Sequence, residues 1–265
     1  MKLTELKENY DNYLELNYNS EKTIICYKNC FKKFIKENDR IYRMSNIDLK
    51  KYFINFKNNY SQSYFNQMLS SVTILYNILK QYRKLKDIKY LKTPPKKLDI
   101  LSKQEILNGL KNISNTKHQL VIKLLYVGAL RISELLNLKL SDIDRRNKRI
   151  IIRNSKGNKG RYIPISDNII EDLTQYYIKF KPNYYIFKGV NGKYSETSVR
   201  NIVKKINLKK HIYPHLLRHS SITKLIDDKH NILKVQIFAG HNTSKSTERY
   251  YHLSNESLND MTLNL

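Results

Sequence analysis

His215 and Arg218 stand three apart, just after Pro214, in a stretch whose apolar spacing reads as a helix. That spacing puts both on one helix face. A titratable imidazole beside a fixed two-pronged donor suits proton transfer next to a phosphate. His219 falls near the same face and reads as a supporting or core histidine. Three further patterns carry related chemistry. In Gly128-Ala129-Leu130-Arg131-Ile132-Ser133-Glu134, Gly128 closes one helix and Arg131 stands where the next begins. A cation is unfavourable at that end, and a bound anion would resolve the conflict. The glycine-rich turn from Lys156 to Arg161 can approach a nucleic-acid backbone closely and aim a lysine at it. Gly240 suits a helix C-cap, so His241 would emerge at a helix end. Thr243 or Ser244 can cap a further helix that carries Tyr250 and Tyr251. Adjacent helical residues point about 100° apart, so only one of the two tyrosines can face a common site. This geometry does not choose between them.

These residues need elements to hold them. The first ninety residues read as helices only. Apolar residues recur at helical spacing in Leu3, Leu6, Tyr10, Tyr13 and Leu14, and again from Ile24 through Ile35. Ser45 and Asp48 form a capping box that opens a helix through Phe56, and Leu69 to Leu79 gives another. The paired prolines of Thr93-Pro94-Pro95-Lys96-Lys97 cannot continue a helix. They divide the chain into residues 1–92, a linker at 93–101 and a second domain at 102–265. Ser102 and Glu105 cap the start of that domain. It reads as mixed: helices at about 103–111, 117–127, 132–138, 167–179, 196–206, 215–227, 231–239 and 244–252. Arg149–Arg153 and Arg161–Ile165 read as two strands of a hairpin whose turn contains Gly157 and Gly160. The expected fold class is mainly α (α+β), with a small antiparallel hairpin or sheet in the second domain.

Charge limits the partners. The 265 residues hold 49 Lys and Arg against 23 Asp and Glu, a net +26. Such a field attracts polyanions. AT-rich coding explains many lysines but not the shortage of acids, so nucleic acid is the expected partner. No apolar run reaches the roughly 20 residues a membrane span needs, and Met1 to Leu6 reads as an amphipathic helix start, not a leader. Cys26 and Cys30 lie four apart without neighbouring ligands, which suits reduced core thiols and not a zinc site.

Taken together, the patterns resemble the tyrosine recombinase/phage integrase family, closest to its compact Xer-like members. The resemblance is strong from about Ser102 to His252 and general before that. The family's set runs arginine, lysine, His-x-x-Arg, histidine, tyrosine. Arg131 matches the first arginine and Glu134 the acid that accompanies it. Lys156 matches the hairpin lysine, His215 and Arg218 the pair, and His241 the last histidine. The family's nucleophile lies nine residues after that histidine, which selects Tyr250. Tyr251 doubles the tyrosine, and Lys159 offers a second hairpin lysine.

The resemblance implies a cytoplasmic enzyme that cuts and rejoins double-stranded DNA at a specific site through a 3′-phosphotyrosine. It needs no cofactor and no metal. Residues 1–92 would form a helical DNA clamp, and four protomers would assemble on two DNA sites. Leu258, Met261, Leu263 and Leu265 in the tail would dock on a neighbour. The implied role is dimer resolution, or integration and excision of a mobile element; the absence of an extra arm-binding segment favours the Xer-like one. Two rivals remain: a type IB topoisomerase with the same chemistry and no site requirement, and a DNA-binding protein that keeps the fold without catalysis. The full set of six residues argues against the second.

Overall fold

The computed structural model describes residues 2–92, 99–153, 160–189 and 192–241. The chain divides into two compact units, Met1–Lys96 and Lys97–Leu265.

The first unit is helical. It contains α1 (Leu3–Asn17), α2 (Glu21–Glu37), α3 (Asn46–Asn59) and α4 (Gln62–Ile78). Serines begin three of these helices. Ser20, Ser45 and Ser61 each accept the backbone N–H three residues on, and Asp48 returns a bond to the Ser45 backbone. Each cap satisfies a donor that the helix start leaves open. Leu6, Tyr10 and Leu14 from α1 meet Phe31 and Phe34 from α2 and Met68, Leu69 and Val72 from α4 in one core. The Tyr10 ring stacks on Phe31 at 4.1 Å, and its hydroxyl lies 2.7 Å from Ser71 Oγ. Cys30 is buried in this core and burial pushes its thiol up to about 12, while Cys26 is half-buried; neither is in a disulfide.

The second unit surrounds two largely buried helices. Its elements are α5 (Lys103–Lys111), α6 (Thr116–Val127), α7 (Ile132–Leu136), β1 (Ile143–Asp144), β2 (Arg149–Ile152) and β3 (Arg161–Pro164). Then follow α8 (Asp167–Phe180), β4 (Lys188–Gly189), β5 (Gly192–Lys193), α9 (Glu196–Lys204), α10 (Pro214–Asp227) and α11 (Ile232–Ala239). Helix α6 buries Leu120, Val121, Ile122, Leu124 and Leu125 and lies against α8, α9 and α10. Strands β1, β2 and β3 form an antiparallel sheet in that order, with Ile150 opposite Ile163 and Ile152 opposite Arg161.

The helices stand close to the expected spans. Helix α7 stops at Leu136, two residues early, and α9 at Lys204. Strand β1 and the β4–β5 pair are two residues long, too short for an alternating pattern to register. The Ser102–Glu105 capping box opens α5 at Lys103, and Pro214 is the first residue of α10. The linker prolines, the hairpin turn with Lys156 and Lys159, and the segment with Thr243, Ser244, Tyr250, Tyr251 and the tail lie outside the described residues. Among the described residues no helix is long and apolar enough to cross a membrane.

Candidate active site

Helix α6 ends at the C-cap Gly128, but the left-handed backbone falls one residue later, on Ala129 at φ 44°. An alanine there is strained, because its Cβ crowds the following carbonyl. The strain turns the chain so that Arg131 becomes the N-cap of α7. The expected conflict of a cation at that position is settled by a carboxylate of the chain itself. Glu134 Oε2 accepts the Arg131 backbone N–H at 2.9 Å, and Oε1 accepts Arg131 Nη1 at 2.8 Å.

Glu134 is the centre of a cluster. Its side chain is 2% exposed. Arg161, from the start of β3, grips both oxygens through Nη1 and Nη2 at 2.9 Å each. Arg218, from α10, brings Nη1 to 3.9 Å of Oε2. Burial alone would push the Glu134 carboxyl up. The Arg161 bonds and charge, then those of Arg131, outweigh it and hold it at about 2.

The three guanidinium groups also share the end of α11. Arg161 Nε donates to Phe238 O at 2.8 Å, Arg218 Nη2 donates to Ala239 O, and Arg131 Nη2 donates to Gly240 O at 2.7 Å. Arg218 Nη1 donates to Ala129 O as well, tying the strained turn to α10. Helix C-termini leave their last carbonyls open, and cations there oppose the negative end of the dipole. Successive carbonyls from α11 thus lock three arginines from three different segments, and His241 is the next residue along.

Gly240 has two reasons to be glycine. Its φ is +62°, and a Cβ would lie 2.7 Å from Arg161 Nη1. Gly240→Ala is expected to cost about 2 kcal/mol or more, from left-handed strain plus displacement of Arg161. Thermal unfolding checks this; an unchanged midpoint would contradict it.

Both histidines feel the arginines. Burial lowers His241 first, followed by the charges of Arg218, Arg131, His219 and Arg161, to about 4. His215 is exposed at one edge, yet loss of water on its inner side, then Arg218, Arg131 and Arg200, hold it below the usual histidine value. The His219 ring lies 6.3 Å from that of His215. At neutral pH His215 and His241 are therefore uncharged, one able to take a proton and the other to donate a neutral hydrogen bond. The unfolded chain binds protons at these histidines before the folded one does. Stability is thus fully present above about pH 6.5 and falls as the pH drops toward 4. A nuclear magnetic resonance titration of the DNA-free protein is expected to find His241 neutral at pH 5.5; a midpoint at or above 6.5 would contradict the geometry.

The structure brings together Arg131, His215, Arg218 and His241. Lys156 and Tyr250 lie outside the described residues. Sequence reasoning gave Arg161 no part in the site of its own, reading it as the end of the basic turn and the start of a strand. The signal was present: alternation in Arg161-Tyr162-Ile163-Pro164 puts Arg161 on the same face as the buried Ile163.

This is the layout of a site that grips an anion with clustered arginines beside neutral imidazoles. The comparisons agree with that class. The phage integrase family profile matches residues 99–257. Tyrosine recombinase XerA of Pyrococcus horikoshii is 30% identical over 268 residues, covering 97% of this chain and 92% of that protein. The chain therefore belongs to the phage integrase family, as a tyrosine recombinase. Two solved structures share the fold. One is a lambda integrase (75–356) dimer bound to a COC′ core site, with TM-score 0.77 and 17% identity over 93% of this chain and 97% of that one. The other is XerH site-specific recombinase bound to a palindromic difH substrate, with TM-score 0.74 and 20% identity over 88% and 76%.

Proposed function

We propose that this recombinase cuts and rejoins duplex DNA at a specific site with Arg131, Lys156, His215, Arg218, His241 and Tyr250. The observation that carries the reading is the convergence of Arg131 and Arg218 on one carboxylate, with two uncharged histidines in their field. A phosphodiester repels nucleophiles, and charge builds on its oxygens in the transition state. Arg131 and Arg218 neutralise the two non-bridging oxygens, and His241 donates a further hydrogen bond. The Arg131 side chain is 23% exposed, open enough to meet a backbone from solvent. Tyr250 oxygen attacks phosphorus as its proton passes to His215. The bond from phosphorus to the 5′-oxygen breaks, and Lys156 protonates that oxygen. The 3′-phosphotyrosine keeps the bond energy, so reversal with a new 5′-hydroxyl rejoins the strand without ATP.

Residues 1–92 clamp the DNA backbone with their basic helix faces, and the net +26 of the whole chain supports DNA binding. Four protomers act on two sites in the cytoplasm, with Leu258, Met261, Leu263 and Leu265 of the polar tail docked on a neighbour. Family membership alongside a XerA relative supports an Xer-like role, the resolution of chromosome or plasmid dimers, ahead of integration and excision. Covalent trapping on host DNA followed by sequencing tests the reading. The expected result is one short, recurring inverted sequence. Attachment spread evenly over the genome, with relaxation of a plasmid lacking that sequence, would favour a topoisomerase instead.

A further inference from the structure

We propose that Arg161 is a positioning residue for the strand-cutting step: it neutralises Glu134, so that Arg131 and Arg218 both keep their positive charge for the scissile phosphate, and it fixes the end of α11 that leads into His241. The inference rests on the function proposed above and goes beyond its six residues.

The geometry carries it. Glu134 holds Arg131 by its backbone N–H and by Nη1, which aims the side chain. A carboxylate in that place also cancels one arginine. Two arginines around Glu134 leave a single net positive charge. A phosphodiester carries one negative charge and its transition state about two. Arg161 supplies the third guanidinium and restores a surplus of two. Its side chain is 3% exposed, as buried as that of Arg218 at 4%, so its bonds and not its burial set it apart. All three of its nitrogens donate inward, Nη1 and Nη2 to Glu134 and Nε to Phe238 O. With its whole fork on Glu134, it acts as a support and not as a phosphate ligand.

Stability alone does not account for the pair. A buried ion pair can often be replaced by apolar residues of similar volume at no loss. An apolar pair would also leave the cluster with two arginines, but without the acid that aims Arg131. Glu134 together with Arg161 gives both aim and charge.

The test uses the full chain and a nicked duplex bearing the sequence recovered by covalent trapping, with covalent complex formation followed in a single turnover. Arg161→Gln drops the surplus to one and is expected to slow attachment about a hundredfold. Its DNA affinity should stay within about threefold, because many phosphate contacts supply it. Arg161→Gln with Glu134→Gln returns the surplus to two and should regain at least about tenfold. Arg161→Lys keeps the charge without the fork and should stay within about tenfold of wild type. A folded Arg161→Gln variant as fast as wild type would overturn the proposal. So would a slow one that neither the double variant nor Arg161→Lys improves, since Arg161 would then be scaffold only. If Arg161→Gln does not fold, the double variant and Arg161→Lys are compared with wild type directly, and attachment more than about a hundredfold slow in both overturns it. Failure of the underlying function looks different: the wild type itself would form no covalent complex, or Tyr250→Phe would form one.

Discussion

Tyr250→Phe is expected to bind its DNA site as tightly as the wild type and to form no covalent complex, a fall in strand cutting on the order of 10⁴–10⁶. In the proposed reaction the phenol oxygen bonds to phosphorus, and phenylalanine removes that oxygen alone. The ring remains for packing, and the arginines remain for binding. A free phenol ionises at about 10, so at neutral pH only about one part in a thousand is the attacking anion. In the proposed reaction His215 takes that proton as the bond forms, and an uncharged imidazole is the form that can do so. Tyr251→Phe should retain cutting, because the family's spacing from His241 selects Tyr250 and only one of two adjacent helical residues can face the site. Gel separation of protein–DNA complexes under denaturing conditions checks both variants. Loss of attachment in Tyr251→Phe together with retention in Tyr250→Phe would exchange the two assignments.

Glu134→Ala is expected to be among the most destabilising single changes in the second unit. It leaves Arg131, Arg161 and Arg218 facing one another around an empty place, two of them almost wholly buried. Removing one member of a buried ion cluster costs about 3–5 kcal/mol. For a unit of this size that corresponds to a fall on the order of 10 °C in the unfolding midpoint. The pH dependence follows from the carboxyl held at about 2. A depressed acid stabilises fully above its unfolded value and loses that contribution as the pH falls through its folded value. The gap between wild type and Glu134→Gln should therefore narrow between about pH 4.5 and 2. Denaturant melts across that range check it; a gap that widens toward acid would contradict the cluster as described.

Much of this molecule is legible in the chain where the signal is local. Helix α5 begins at Lys103 because Ser102 and Glu105 exchange bonds across its first turn, and both are visible as residue types at fixed spacing. Strands β2 and β3 follow from two short isoleucine- and tyrosine-bearing runs on either side of a glycine-containing turn. The order Arg131, His215, Arg218, His241 was also readable, as a family pattern. What escaped was tertiary. Nothing local indicates that Ala129, not Gly128, takes the left-handed backbone, because the Arg218 bond that ties down its carbonyl comes from 89 residues away. Nor does the sequence show that three arginines share the carbonyls of Phe238, Ala239 and Gly240. The choice of Tyr250 over Tyr251 came from its spacing to His241 in the family pattern, and no local rule could have made it.

The most direct test is to trap the covalent complex, digest its protein and DNA, and locate the nucleotide adduct by fragmenting the peptide that carries both tyrosines. The expected result is a phosphodiester remnant on Tyr250 in the wild type, absent from the Arg218→Ala variant. An adduct on Tyr251, on a serine, or on no residue would contradict the central claim.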